Sequence, residues 1–124
     1  MSITVEKALQ LIEALSRSEG PAGPSQLGRE LDLNKSTVFR LLNALARRGY
    51  VRQEGDSGRY ALTLKLWELG VGVLRQSNLR DIARPVLECE ARRTGETMLL
   101  GIVHEREALI IDKVDSWQAL QIFS

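Results

Sequence analysis

The fold is decided by residues 35–62, which read KSTVFRLLNALARRGYVRQEGDSGRYAL. The first part carries a single apolar stripe, with the i, i+3, i+4, i+7 spacing of a buried helix face, at Val38, Leu41, Leu42 and Leu45. Asn34 is a good N-cap for such a helix, and Gly49 suits the left-handed position just beyond a helix end. These features predict a helix between Asn34 and Gly49.

The second part of the stretch has the composition of two strands joined by a turn. Tyr50 to Gln53 is expected to form a strand, Glu54 to Gly58 is rich in Gly, Asp and Ser, and Arg59 to Leu62 is expected to be the returning strand. Strand-like runs separated by a short segment that contains Gly are typical of a β-hairpin.

Two further helices are predicted before this stretch. Apolar residues recur at helical spacing from Val5 to Arg17, with Thr4 as the expected N-cap, until the Gly/Pro-rich segment 20–24 breaks the pattern. Ser25 is expected to cap a short helix from Gln26 to Leu31, and residues 32–34 leave room only for a turn. A helix, a short turn, a second helix and a hairpin form a winged helix-turn-helix, whose second helix can enter the major groove of DNA.

The solvent face of the helix that follows Asn34 is polar and basic. At about 100° per residue, Ser36, Arg40, Asn43 and Arg47 fall opposite the apolar stripe, and Lys35, Thr37 and Phe39 flank them. No acidic residue occurs from Lys35 to Gln53. Arg40 has the geometry to bind guanine, Asn43 adenine and Phe39 a thymine methyl group, and the free N–H groups at the helix start favour a phosphate.

Three residues outside this helix join the candidate DNA-binding set. Arg59 lies at the tip of the hairpin, the position of a wing, and Ser25 and Gln26 begin the preceding helix. The alternative interpretation is an ordinary solvated helix face, although such faces usually mix both charge signs.

Composition narrows the class of protein. The chain has 124 residues, 44% apolar and 27% charged, which is typical of a soluble globular protein. Residues 1–76 hold eleven Lys/Arg against eight Asp/Glu (+3), and residues 77–124 hold six against eight (−2). No apolar run approaches the length of a transmembrane helix, and the N-terminus does not resemble a signal peptide, so a cytoplasmic location with no membrane partner is expected.

An enzyme is not expected. Cys89 and His104 are the only cysteine and histidine, so neither a disulfide within the chain nor a finger-type zinc site can form. Cys89, between Glu88 and Glu90 in a predicted helix, is expected to be a buried small apolar residue. His104 is expected to be exposed at a strand end. We predict no catalytic residue, no metal site and no cofactor.

The remainder of the chain predicts two helices and a second hairpin. The helices are expected at 64–75 and at 79–94, the second capped by Asn78 and ended by Gly95, with Pro85 either kinking it or marking its start. Strands are expected at 97–104 and 108–114, and Leu120 to Phe123 is expected to begin another.

The sequence resembles the isocitrate lyase regulator (IclR) family of bacterial transcription factors. The resemblance rests on KSTVFRLLNAL at 35–45, Gly49-Tyr50-Val51, Tyr60-Ala61-Leu62 with Leu66 and Gly70, ARPVL at 83–87 and GETMLL at 95–100. It implies a winged helix-turn-helix, a linker helix and an effector-binding domain related to GAF and PAS sensors. It also implies homodimers, or possible tetramers, that bind inverted repeats in double-stranded DNA and pair through the first helix and the linker helix.

The resulting prediction is an α+β protein that regulates transcription, as a repressor or an activator. Residues 1–63 are expected to be the DNA-binding domain, 64–76 the linker helix and 77–124 the incomplete first part of the effector-binding domain. The recognition helix (35–48) and the wing (54–59) are expected to read promoter inverted repeats. A small-molecule effector is expected to bind only if the missing part of that domain is supplied, and residues 77–124 are expected to be less ordered or completed by a second subunit. The alternative function is a protein-interaction or dimerisation module.

Overall fold

The structure, a computed structural model, describes residues 3–117. In that range the helices are α1 (Ile3–Arg17), α2 (Pro24–Leu31), α3 (Lys35–Arg47), α4 (Lys65–Arg75) and α5 (Leu79–Thr94), and the strands are β1 (Val51–Glu54), β2 (Arg59–Leu62), β3 (Met98–His104) and β4 (Glu107–Val114). The chain divides into two compact units, Met1–Gly70 and Val71–Ser124. The strand expected at Leu120 to Phe123 lies outside the described residues.

The first unit packs α1, α2 and α3 against the β1–β2 hairpin. The apolar stripe predicted on α3 is confirmed, since Val38, Leu41 and Leu42 are buried and Leu45 packs against them. β1 and β2 pair antiparallel from Val51↔Leu62 to Glu54↔Arg59. The core is made of Leu11, Ala14, Leu15, Ala22, Leu27, Val38, Leu41, Leu42, Val51 and Tyr60.

The turn between α2 and α3 depends on Gly28. The Leu33 N–H donates to the Gly28 carbonyl at 2.8 Å, and Asp32 adopts a left-handed conformation with φ of 55°. A Cβ atom on Gly28 would lie only 2.7 Å from the Leu33 carbonyl oxygen. The close approach of the chain in this turn therefore requires glycine at this position.

Two of the expected helix starts are wrong. Ser25 does not cap α2: Gly23 is the N-cap and Pro24 is the first helical residue, because proline has no N–H to leave unpaired and its φ already suits a helix. Thr4 lies inside α1 rather than before it. Asn34 is the N-cap of α3 as predicted, and Arg48 caps its end before Gly49, whose φ is 85°.

The second unit packs α5 on the β3–β4 hairpin. The strands pair antiparallel, with an irregularity between Leu100 and Gly101 and a two-residue turn at Glu105 and Arg106, both with positive φ. Pro85 lies inside α5, so it does not mark the start of that helix. Arg84 on α5 donates from a terminal guanidinium nitrogen to Oδ1 of Asp112 on β4 at 2.8 Å, which ties the helix to the hairpin.

Candidate nucleic-acid interface

The side of α3 that faces away from the core carries most of the predicted DNA-binding residues. Lys35, Ser36, Phe39, Arg40 and Arg47 are exposed, and Thr37 at the flank is half-buried. Phe39 is 49% exposed, which is unusual for an aromatic side chain among the polar groups of this face. This face therefore combines hydrogen-bond donors with one apolar ring, the chemistry that base edges and thymine methyl groups require.

The cationic side chains of this face form no ion pair with any residue from 3 to 117. Among residues 3–117, no ion pair involves Lys35, Arg40 or Arg47, and the first turn of α3 contains no acidic residue. Positive charge at the N-terminal end of a helix is unfavourable for the helix itself, because it opposes the helix dipole. An anion on this face would offset both the dipole and the charge of Lys35.

Asn43 differs from its neighbours because the structure gives it a partner. It is half-buried, and its Oδ1 accepts a hydrogen bond from the Tyr60 hydroxyl at 3.4 Å. The sequence placed Asn43 on the open solvent face. Its side chain instead lies at the junction of α3 and β2, with one end engaged by the hairpin.

The start of α2 and the hairpin meet at a short backbone bridge. The Ala22 N–H donates to the Tyr60 carbonyl at 3.0 Å, and the Tyr60 N–H donates to the Ala22 carbonyl at 2.8 Å. Next to this bridge, a Cβ atom on Gly23 would lie 3.8 Å from Cγ of Arg59. The bridge thus brings the start of α2, with exposed Ser25 and Gln26, beside exposed Arg59.

The hairpin contributes less free positive charge than the sequence suggests. Arg52 on β1 pairs with Glu54 on the same strand. Residues two apart on a strand point to the same face, so the spacing of Arg52 and Glu54 in the sequence already permits this pairing. Arg59, the other basic residue of the hairpin, forms no ion pair with any residue from 3 to 117.

Two residues at this site were missed by the sequence analysis, Tyr60 as a partner of Asn43 and Lys65 as a partner of the α3 end. Lys65 donates from Nζ to the Arg48 carbonyl at 2.7 Å. Both contacts join residues 17 positions apart in the chain. No local pattern in the sequence indicates either of them.

Cys89 and His104, the other candidates for chemistry in the sequence, both lie at the surface. Cys89 is exposed, so the expectation that it is buried is wrong: it precedes buried Ala91 by two positions and therefore lies on the other side of α5. His104 is exposed, as predicted. Within residues 3–117, no group of His, Cys, Asp and Glu is placed to hold a metal ion, and no helix is long and apolar enough to cross a membrane.

A nearly buried carboxylate lies in the second unit. The Asp112 side chain is only 7% exposed and contacts both Arg84 and Arg80. Burial opposes its ionisation, but the Lys113 N–H and the Arg84 guanidinium outweigh burial and hold the pKa of Asp112 below its ordinary value. We interpret the cluster of Arg80, Arg84 and Asp112 as a structural contact that stabilises the packing of α5 against β4.

Curated relatives of this chain are transcriptional regulators. It is 37% identical over 121 residues to the HTH-type transcriptional regulator KdgR of Escherichia coli (strain K12), a match covering 98% of this chain and 46% of KdgR. It is 34% identical over 123 residues to the glycerol operon regulatory protein of Streptomyces coelicolor, covering 96% of this chain and 48% of the relative. The chain spans about half the length of the curated relatives it matches.

Solved structures share the fold. An IclR family transcriptional regulator from Brucella abortus matches with a TM-score of 0.81 at 24% identity, over 95% of this chain and 45% of that one. The Thermotoga maritima IclR matches with a TM-score of 0.73 at 32% identity, over 93% of this chain and 46% of that one.

Two family models match successive parts of the sequence. The IclR helix-turn-helix domain matches residues 4–55, and the bacterial transcriptional regulator IclR C-terminal domain matches residues 71–124. Together with the α+β architecture and the helix-turn-helix, they identify the chain as a member of the IclR family of transcriptional regulators.

Proposed function

We propose that this chain is a sequence-specific DNA-binding transcriptional regulator that reads inverted repeats as a dimer. The observation that carries the proposal is the outward face of α3, the second helix of a helix-turn-helix. There Lys35, Arg40 and Arg47 are exposed and form no ion pair with any of the described residues. Such a face suits the major groove, because arginine binds guanine edges and lysine or arginine binds phosphates. The names of the curated relatives support the same function.

The proposed contacts divide between bases and phosphates. Ser36, Phe39 and Arg40 are assigned to the base edges, and Asn43 to a base or to the support of α3. Lys35 and Thr37, which flank the face, and Arg47, at its C-terminal end, are assigned to phosphates. Ser25 and Gln26 at the start of α2, and Arg59 on the wing, are assigned to the neighbouring backbone, since the bridge between Ala22 and Tyr60 brings them side by side.

The proposed domain organisation has three successive segments. Residues 1–63 form the DNA-binding domain, 64–76 the linker helix and 77–124 the first part of the effector-binding domain. A second copy of the chain is the proposed partner of α1 and α4, because large apolar side chains there are exposed: Val5 by 56%, Leu9 by 52% and Trp67 by 68%. Exposed apolar surface of this kind is typical of protein contact sites.

The test is a selection of bound sequences from a random duplex library at near-physiological salt. An enriched inverted repeat, with half-sites about one helical turn apart, is the result expected of a dimeric helix-turn-helix. Two variants are selected in parallel. Arg40→Ala should lose part of the sequence preference, whereas Arg92→Ala, which removes one exposed positive charge from α5, is its matched control and should select the same repeat as the unmodified chain.

A folded protein that enriches no sequence would contradict the proposal. It would favour the alternative, a winged-helix module that binds protein. Salt separates the two functions, because DNA affinity falls with a slope of about −0.9 per phosphate contacted on a plot of log affinity against log salt.

A further inference from the structure

Three successive carbonyl groups beyond α3 accept hydrogen bonds from the segment that begins α4. Lys65 Nζ donates to the Arg48 carbonyl at 2.7 Å. The Thr63 hydroxyl donates to the Gly49 carbonyl at 2.5 Å, and the Thr63 N–H donates to the Tyr50 carbonyl at 3.0 Å. All of these residues belong to the first unit. The start of α4 is therefore fastened to the C-terminal end of α3.

The Lys65 ammonium group has a second contact at the same place. Its Nζ lies 4.8 Å from the centre of the Tyr50 ring, within the range of a cation–π interaction. Its stem passes over Gly49, where a Cβ atom would lie 3.7 Å from Cδ of Lys65. A positive charge at this end of α3 is also favoured by the helix dipole. The ammonium group is thus directed at the protein backbone.

We infer that Lys65 is a positioning residue for DNA binding, which acts through the end of α3. By holding the Arg48 carbonyl, it fixes the last turn of the helix and so the direction in which Arg47 leaves it. This inference rests on the proposed function, since Arg47 is there assigned to a phosphate. Lys65 itself contacts no DNA in this arrangement, because its ammonium group is engaged by the Arg48 carbonyl and the Tyr50 ring.

The experiment measures the affinity of the 124-residue chain for the selected duplex. Lys65→Met removes the ammonium group and keeps an unbranched apolar stem over Tyr50 and Gly49. Lys65→Arg retains a cation that can reach the same carbonyl. Lys113→Met is the matched control: it also removes one lysine charge, and Lys113 pairs with Asp115 in the second unit. Arg47→Ala is made alone and together with Lys65→Met.

Lys65→Met should weaken binding by about tenfold, the size expected when one charge-assisted contact, here that of Arg47 with a phosphate, is lost from the bound state. In the Arg47→Ala background, Lys65→Met should leave the slope of log affinity against log salt unchanged, because Lys65 itself meets no phosphate. Lys65→Arg should recover most of the affinity, and Lys113→Met should bind like the unmodified chain. Arg47→Ala should cost less affinity in the Lys65→Met background, since the two changes act on one contact.

Three results would overturn the inference while leaving the proposed function intact. A fall in melting temperature with unchanged affinity, measured well below the melting transition, would mean that Lys65 only stabilises the fold. A salt slope reduced by about a further 0.9 when Lys65→Met is added to Arg47→Ala would mean that Lys65 meets a phosphate directly. Additive effects of Lys65→Met and Arg47→Ala would mean that Lys65 does not act through Arg47. Absence of binding by the unmodified chain would instead remove the proposed function, and this inference with it.

Discussion

The Tyr60 hydroxyl donates a hydrogen bond to Oδ1 of Asn43 at 3.4 Å and so joins the wing strand β2 to helix α3. Tyr60 is only 3% exposed, and its backbone also pairs with Ala22, two residues before α2. One residue thus connects the three elements that carry the proposed DNA contacts. Adenine reading by asparagine uses Oδ1 as an acceptor, so Asn43 must share that oxygen with Tyr60 or turn its amide to read a base.

The contact between Tyr60 and Asn43 predicts coupled effects on stability. Tyr60→Phe and Asn43→Ala should each destabilise the chain, and the double variant should be more stable than additivity predicts by about 0.5 to 1 kcal/mol, the range for a long, partly buried hydrogen bond. The free energies of unfolding are measured by urea denaturation. Tyr50→Phe, paired with Asn43→Ala, is the control and should show additive effects. Additive effects of Tyr60→Phe and Asn43→Ala on the free energy of unfolding would mean that the contact between these residues contributes no stability.

Gly28→Ala should destabilise the first unit by about 1 to 3 kcal/mol, because the new methyl group collides with backbone rather than with a flexible side chain. The clash is with the Leu33 carbonyl oxygen, at 2.7 Å. Gly20→Ala is the matched control, since a Cβ atom there meets nothing within 4 Å. It should leave stability unchanged or raise it by up to about 1 kcal/mol, because alanine restricts the unfolded chain. Equal unfolding midpoints for the two variants would contradict the tight turn.

Arg40→Ala should cost about 1 to 3 kcal/mol of DNA affinity and relax the sequence preference at one position of each half-site, because a base reader contributes specificity. A repeat of the selection with the variant measures both effects. Arg40→Lys keeps the charge but loses the planar pair of donors, so it should bind tightly with relaxed preference. An unchanged preference in both variants would exclude Arg40 as the reader.

Arg47→Ala should weaken binding by a similar factor on all sequences, since phosphate contacts carry no sequence information. The magnitude of the salt slope should fall by about 1, because the variant binds one phosphate fewer. Affinities for the selected duplex and for a scrambled one, each measured over a range of salt, give both quantities. A weakening confined to the selected duplex would place Arg47 on a base instead.

Asp112 should make the second unit sensitive to acid. The folded pKa of Asp112 lies below its ordinary value, so its ionised form stabilises the fold above that ordinary value, about 3.9 for a free aspartate. This stability should be lost as the pH falls through the lower folded pKa, when the carboxylate that Arg84 holds is protonated.

The comparison is between Asp112→Asn and Asp115→Asn, unfolded by urea at neutral pH and in acid. Asp112→Asn should destabilise the chain most at neutral pH, with the difference shrinking in acid. Asp115→Asn should matter little at either pH, because its ion pair with Lys113 is exposed. A deficit for Asp112→Asn that does not depend on pH would show that its ionisation is not linked to folding.

Most of the features that were predicted correctly from the sequence depend on residues that are close together in the chain. The spacing of Val38, Leu41 and Leu42 set the buried side of α3, and burial of that side left Arg40 and Arg47 facing outward. Gly49 ended the helix at the expected place because its conformation is a property of the residue itself. The bounds of α5 were also predicted, since Asn78 and Gly95 mark helix ends through local backbone chemistry.

Tertiary structure decided which of the predicted side chains have partners. Asn43 and Lys65 look like free polar residues in the sequence, yet one is held by Tyr60 and the other by the Arg48 carbonyl. Cys89 is exposed because α5 packs through the side that carries Ala91. The buried face of a helix follows from residues three and four apart in the sequence. The contacts of Asn43, Lys65 and Cys89 depend instead on how separate helices and strands pack, and that packing is set by all the core residues together.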